Sequence, residues 1–573
     1  MENPYANRFW RKNWDPWVKD LNSEEFELSY IELVKPTFEE FSGRMALEYY
    51  GVEITFEELD NYSNQFANML NKSGFIKGDI VGINLPNVPQ YPIAALGTLK
   101  AGCIVSGVSP LLSAIQTQYQ LNDLGSNGKK VALLTLDSNY AEKIVKIGED
   151  IEQLKMVITT NVASFLPEIN ADLIKTYGEI PKVEISPLRG KIGIDFHKDI
   201  IEKYSSEHKH VQCAPEDIGW IQYTGGTTGL PKGALLSHRG RVSNIISFIR
   251  WLKWEKGKDI GCSAFPFYHI AGLNTCEIDI YAACGQLLIL NPRDTDYIVK
   301  LFEKYRPTFV SNVPSLYQLL MKNTKFKELD HSNIDSCLCA ASPFPKESQT
   351  ELESIIGENK LLEVYGMTEL SPIATMNPYQ GTKKLGTIGL PIQNVELKII
   401  NTETGVEVPL GEAGEILVAG PLVMPGYHNK PEETKNAIDS DGFMHTGDVG
   451  IMDEEGYIRI VDRTKDMIIV GGYKVFSAKV ENVLSKHPAV GMIALIGTPN
   501  PDRPGSEIVK AYIQMHPDYE YDGDIEALRG NIVEFAKKNC APYEVPKIIE
   551  LVDELPLTPV GKIDKKVLRK INH

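Results

Sequence analysis

Apolar residues in ITFEELDNYSNQFANMLNKSG (residues 54–74) recur at helical spacing and stop at a glycine, and the next segment, DIVGINLP, reads as a buried strand. YPIAALGTLKAGCIVSGVSP repeats that helix-to-strand alternation. Further on, Gly233–Ser237 reads as a short apolar strand, and HRGRVSNIISFIRWL places Val242, Ile245, Ile246, Ile249 and Leu252 on one helical face. From Phe41 to about Val461 such segments alternate, which predicts an α/β fold with layered sheets and helices. After GYIRIVDRTKDMI the pattern changes: MIALIGTP and IVKAYIQM read as strands, and helices are expected around Ala478–Ser485 and Ile525–Lys538. We therefore expect a large domain over residues 1–461, a short charged hinge at 462–466, and a small mobile α+β domain over 467–573.

Length and composition fit this division, because 573 residues exceed one ordinary core and 43% hydrophobic with 24% charged residues is the balance of a soluble globular protein. The formal net charge of -17, with no basic tract, argues against a nucleic-acid binder. No run of about 18 or more apolar residues occurs and MENPYANRFWRKNW lacks the apolar centre of a secretory signal, so a cytoplasmic protein is expected. The eight cysteines form no zinc pattern, and Cys337 and Cys339 are expected to face a core. Trp10, Trp14 and Trp17 lie at helical spacing among basic residues, as in helices that rest on membrane surfaces. Pro16 interrupts that pattern, and packing on the large domain or on a second copy of the chain, as in a homodimer, is favoured over peripheral membrane contact.

Candidate chemistry begins at YTGGTTGLPKG (Tyr223–Gly233), where four glycines, three threonines and Lys232 converge. Glycine lets backbone N–H groups approach an anion, and the hydroxyls add donors, so phosphate is the expected guest. A Walker A loop is excluded because Lys232 is followed by Gly233 rather than Ser or Thr; the loop is expected to join two strands. EVYGMTE (Glu363–Glu369) offers an aromatic face, a hydroxyl and a carboxylate for a hard cation, although alone it reads as an ordinary strand-to-loop turn. HTGDVG presents Asp448 where a carboxylate could accept from ribose hydroxyls, or simply cap a turn.

Taken in order, the glycine-rich loop, YGMTE, TGD, IRIVDRTKD and PLTPVGKIDKK resemble the core motifs of the adenylate-forming superfamily, which includes acyl-CoA synthetases, firefly luciferase and nonribosomal peptide adenylation domains. The resemblance runs from ALEYYGVEITFEEL to Lys562. It implies that Thr224, Gly225, Gly226, Thr227, Thr228, Gly229 and Lys232 hold the β- and γ-phosphates of ATP, with Gly225 replacing the usual serine. Ala340, Ala341, Ser342 and Pro343 match the adenine-contacting segment, which commonly reads Gly-Ala-Ala-Pro. By the same resemblance Tyr365 stacks on adenine within the nucleotide-binding run Tyr365–Gly366–Met367, Thr368 donates to the α-phosphate and Glu369 helps to hold Mg²⁺. Asp448, Ile460 and Arg463 fall at the ribose end, with Asp448 and Arg463 as its ligands. Lys562 matches the mobile adenylation lysine, Lys465 the hinge residue, and Gly471 and Gly472 the channel for the pantetheine arm of CoA. His269 matches an aromatic-histidine motif beside the carboxylate, with Tyr268, Leu273, Val313 and the segment around Gly389 as weaker candidates for the acyl wall.

The implied activity is ATP-dependent conversion of a carboxylic acid to acyl-AMP and pyrophosphate, then transfer to CoA, with ATP, Mg²⁺ and CoA as cofactor and co-substrates. A medium- or long-chain fatty acid is the first substrate expectation, from the Gly225 variant and KDMIIVGGYKVF. Two alternatives stay open: an acyl-AMP ligase that loads a carrier protein, and a non-catalytic nucleotide-binding interaction protein on the same scaffold. Relatives of the first kind carry an insertion that is not evident between Lys465 and Val475, and retention of Lys232, Glu369 and Lys562 argues against the second.

Overall fold

Two long sheets form from buried strands that alternate with helices along the chain. The computed structural model describes all residues except 1–4, 181–184, 225–229, 343, 472, 502, 504–505, 518, 522, 558–562 and 572–573. It resolves into a larger unit, Trp10–Glu396 with Val418–Met444, and a smaller unit, Met1–Phe9, Leu397–Leu417 and His445–His573.

In the larger unit, the expected helix and strand are Phe56–Lys72 and Ile80–Asn84, and the repeat of that alternation is Gln90–Lys100 and Ile104–Gly107. Thr55 caps the first helix, accepting from Glu58 N while the Glu58 carboxylate accepts from Thr55 N at 2.8 Å. One nine-stranded sheet carries parallel strands Ile260–Ser263, Phe309–Asn312, Ser336–Cys339 and Leu361–Gly366 as neighbours. An eight-stranded sheet pairs Ile80–Asn84, Ile104–Gly107 and Ile218–Thr224 in parallel, then turns antiparallel at Lys232–Ser237. Helices Gln90–Lys100 and His238–Trp251 pack on the second sheet, Ile270–Tyr281 packs on the first, and Tyr30–Glu40 touches all three. Every residue of Gln90–Lys100 is buried, enclosed by its sheet on one side and by other helices around it. The layered α/β expectation is met.

The N-terminal tryptophans are absorbed by this unit. Trp10 is fully buried, Trp14 Nε1 donates to Pro391 O at 3.0 Å and meets Trp251 edge-on, and Trp17 Nε1 donates to Arg250 O at 3.1 Å. The regular helix suggested by their spacing is only a 3₁₀ turn at Phe9–Asn13. Among the described residues no helix is long and apolar enough to cross a membrane. Cys337 and Cys339 are buried, as expected.

The smaller unit contains a three-stranded sheet (Val490–Pro499, Glu507–Met515, Ile548–Val552) with helices Ser477–Leu484 and Ile525–Asn539 on one side, joined by a core that includes Val480, Leu484, Leu495, Val509, Ile513 and Ile532. The final helix Lys565–Ile571 closes the other side through Leu568 against Ala494, Ile496 and Tyr512. A four-stranded sheet, with Met444–Met452 paired to Ile458–Arg463, groups with it, so the compact unit extends upstream of the 462–466 segment. The reason is local: the Asp462 carboxylate accepts from both the backbone N–H and, at 3.0 Å, the hydroxyl of Ser477. Burial raises the Asp462 pKa to about 6 against the opposing pull of Lys565.

Candidate active site

The glycine-rich loop joins two strands, as expected. Ile218–Thr224 and Lys232–Ser237 pair antiparallel with Thr224 opposite Lys232. Gly225, Gly226, Thr227, Thr228 and Gly229 lie outside the described residues, so the structure fixes only the base of the loop. That base is anchored from behind: Tyr223 Oη donates to Asp123 Oδ2 at 2.6 Å, and Tyr119 Oη donates to Pro231 O at 3.1 Å. Lys232 Nζ rests over the ring of Tyr427, 4.3 Å from its centroid.

The YGMTE segment follows the strand Leu361–Gly366. A Cβ on Gly366 would stand 1.8 Å from Pro372 O, so only glycine allows the chain to fold back here. Met367 N donates to Pro372 O at 3.0 Å, and Thr368 and Glu369 are buried in a 3₁₀ turn. This turn is held by the helix His238–Trp251. Arg241 Nη1 donates to Ser371 O at 2.6 Å and to Asn274 Oδ1 at 2.9 Å, while Asn244 Nδ2 donates to Ile373 O at 2.7 Å. Arg241 is fully buried and paired with Glu277, whose carboxyl burial pushes up and Arg241 pulls down.

Parallel strands expose their C-terminal ends along one edge, the usual place for a ligand crevice in α/β sheets. Ala340, Ala341 and Ser342 are half-buried at the end of Ser336–Cys339, and Ala340 N donates to Asn312 O at 3.4 Å. Ala341 has φ +74°, an unusual conformation for a residue with a Cβ and one concentrated at functional sites. Asn312 Oδ1 accepts from Ala264 N at 2.9 Å, and half-buried Val313 follows it. His269 caps the helix Ile270–Tyr281, its Nδ1 accepting from Ala271 N at 3.3 Å. The preceding FPFY segment is fixed by Asn87, which donates to Phe265 O at 3.0 Å and accepts from Phe267 N at 2.9 Å. Tyr268 is half-buried, its pKa raised by burial. Leu273 is buried beside a cavity of about 10 Å³ with Tyr30, Tyr91 and Leu96.

Within the smaller unit, Asp448 and Arg463 lie opposite each other in register, with Arg463 Nε 3.0 Å from Asp448 Oδ1. Gly447 N donates to Glu415 Oε1 at 3.1 Å and Thr446 Oγ1 donates to Ile416 O at 2.7 Å, which fixes the TGD turn. Ile460 is half-buried opposite Gly450. Lys465 follows in a turn, its amine lowered to about 8 by burial and by Arg463. Arg569 of the final helix donates to Asp466 Oδ1 at 2.5 Å and to Lys465 O at 3.4 Å. Gly471 N donates to Ser506 Oγ at 2.8 Å. Lys562, Gly472 and Pro343 lie outside the described residues.

Several positioning residues escape sequence reading. Arg241, Asn244 and Asn87 act at chain separations no local pattern reveals. Tyr427 had a local cue in the Gly-Tyr pair before a Pro-Glu-Glu helix start, but nothing in sequence ties it to Lys232 or Glu369. Its hydroxyl donates to Glu369 Oε1 at 2.7 Å, and burial with that carboxylate raises its pKa.

No group of three or more His, Cys, Asp or Glu that could hold a metal occurs among the described residues; Glu369 is a buried carboxylate in the YGMTE turn. A hard cation that takes most of its ligands from phosphates and water suits that supply.

The AMP-binding enzyme family model matches residues 35–428, and the AMP-binding enzyme C-terminal domain matches residues 479–562. The chain belongs to the AMP-binding enzyme family. Within that family it is an AMP-forming, acid-activating enzyme with the adenylate-forming fold. It is 33% identical to a long-chain-fatty-acid–CoA ligase of Escherichia coli, covering 96% of this chain and 95% of that one. It is 35% identical to the protein of the same description from Bacillus subtilis, covering 92% of each. Among solved structures, ATP-bound MatB from Rhodopseudomonas palustris matches with a TM-score of 0.80 at 25% identity, covering 95% of this chain and 99% of that one. An anthranilate CoA ligase with anthranoyl-AMP matches with a TM-score of 0.82 at 23% identity, covering 96% and 99%.

Proposed function

We propose that this chain is an ATP-dependent fatty acid–CoA ligase with a long-chain acid as substrate. The observation that carries the reading is the near end-to-end likeness to long-chain-fatty-acid–CoA ligases, joined to a buried Thr368–Glu369 turn beside Lys232. One carboxylate oxygen of the acid attacks the α-phosphorus of ATP, the bond to the bridging oxygen breaks, and pyrophosphate leaves. Two anions meet in that step, so cationic groups must face the charge that develops.

Lys232 and the glycine-rich loop hold the departing phosphates, Thr368 donates to the α-phosphate, and Tyr365 with Ala340–Ser342 receives the adenine. Glu369 holds Mg²⁺, which when bound neutralises phosphate charge. Asp448 accepts from the ribose hydroxyls, oriented by its partner Arg463. His269, fixed at a helix N-terminus, orients the acid. Lys562 serves adenylation. In the second half-reaction the CoA thiol attacks the acyl carbonyl and AMP leaves, with residues 467–573 turned about Lys465 so that Gly471 and Gly472 admit the pantetheine arm.

The test is AMP release across acids of graded length and aromaticity, with and without CoA. Long-chain acids are expected to give the highest kcat/KM, with AMP release dependent on CoA. A preference for aryl or short acids would overturn the substrate assignment, and absence of acid-dependent ATP–pyrophosphate exchange would overturn the activity.

A further inference from the structure

The glycine-rich loop leaves its hairpin at the Thr224–Lys232 pair, and one helix holds both of its legs. That helix, Ala114–Gly125, is itself fixed, with Leu121 and Leu124 in a core shared with Ile221 of the upstream strand. Tyr119 and Asp123 stand four residues apart on it and so share one face. Asp123, its side chain only 9% exposed, takes the upstream leg: Tyr223 Oη donates to its Oδ2 at 2.6 Å. Tyr119 takes the downstream leg, its hydroxyl donating to Pro231 O at 3.1 Å. Gly233 makes the reach of Tyr223 possible. A Cβ there would lie 2.6 Å from Ile221 Cγ2 and 3.3 Å from two atoms of the Tyr223 ring, so the ring leans over bare backbone. The downstream strand is braced along its other edge, where His428 N donates to Gly233 O at 2.7 Å. The same segment returns to the helix: Asn429 Nδ2 donates to Ser126 Oγ at 2.6 Å, and Lys430 Nζ stands 3.9 Å from Asp123 Oδ1.

We propose that Asp123 and Tyr223 are positioning residues that fix the spacing of the two legs and so present the glycine-rich loop to the β- and γ-phosphates of ATP. The proposal rests on the phosphate-holding role given above to that loop. Backbone N–H groups hold an anion only when they converge on it, and glycine loses more conformational freedom than any other residue when it is ordered. A loop with free ends would spend part of its binding energy on that ordering. Legs tied to a packed helix reduce the cost before the nucleotide arrives. In this role neither side chain touches ATP. The effect belongs to the outer phosphates, so AMP, which lacks them, is indifferent to it.

That difference supplies the test. ATP and AMP binding are measured by titration calorimetry on the ligand-free enzyme. Tyr223→Phe keeps the ring and removes the hydroxyl, and its ATP affinity should fall roughly ten-fold, the scale of one hydrogen bond to a charged group. Its AMP affinity should stay within about two-fold of wild type, the departure found between groups that share no contact. Asp123→Ala should match Tyr223→Phe, while Asp123→Asn, which keeps a carbonyl acceptor, should lie between them and wild type. If Asp123→Ala does not fold, Tyr223→Phe decides the matter. ATP affinity of Tyr223→Phe equal to wild type overturns the proposal, and so does an equal loss for ATP and AMP, which marks general damage to the fold. Replacing Thr227 and Thr228 together by alanine examines the underlying role alone: ATP affinity unchanged there removes the loop's hold on phosphate, and the spacing role with it.

Discussion

Replacing Arg241 by methionine separates stability from catalysis in this fold. The side chain is fully buried, and its loss strands the Glu277 carboxylate, also buried, without its cation. Removing one member of a buried ion pair costs about 3–5 kcal/mol, because the remaining charge is desolvated and unpaired. At about 2 °C per kcal/mol for a chain of this size, thermal unfolding followed by tryptophan fluorescence should move down by about 6–10 °C. Glu277 then folds with its pKa well above the usual carboxylate range. A carboxyl raised in the folded state contributes stability that is present below its unfolded pKa and lost as pH rises through the folded value, so the deficit should shrink from pH 8 to pH 6. Pairing Arg241→Met with Glu277→Leu removes the stranded charge and should recover most of the loss, leaving about 1–3 kcal/mol for the abandoned Ser371 carbonyl. Activity should behave differently. Both variants lose the 2.6 Å hold of Arg241 on Ser371, three residues beyond Thr368, so pyrophosphate exchange at 25 °C should fall equally in the single and the double. Equal melting temperatures for the two variants, or exchange rescued along with stability, would refute this division.

Glu363 accepts from Gly386 N at 3.2 Å, and burial raises its pKa from 4.5 to about 7, so its contribution to stability should be lost as pH rises between those values. Glu363→Gln should therefore gain in melting temperature relative to wild type at pH 8 and lose that advantage at pH 4.5; parallel pH profiles would contradict the assignment. Gly366→Ala should abolish exchange, because the new methyl collides with the Pro372 carbonyl, and a soluble variant with wild-type turnover would disprove that constraint. Lys562→Ala should remove adenylation while sparing thioester formation from supplied acyl-AMP; equal loss of both half-reactions would count against its proposed role.

Much of the architecture was legible because periodicity is a local property. The helix Phe56–Lys72, the strand Ile80–Asn84 and the hairpin that brackets the glycine-rich loop follow from residue spacing alone. The hold of Arg241 on Ser371 was not, since it joins residues 130 positions apart. The trio Lys232–Tyr427–Glu369 was also hidden, because it depends on which strands lie side by side. The contact between Asp462 and Ser477 was hidden too, because the two residues are fifteen positions apart in the chain.

The chain passes between its two units four times, at residues 9/10, 396/397, 417/418 and 444/445. No single protease cut can therefore release either unit intact, and a fragment beginning at residue 467 would leave behind the paired strands that carry Asp448 and Arg463. Attempts to dissect this enzyme by truncation should yield polypeptides lacking part of a core, whereas splitting and reassembling it would require several complementary pieces.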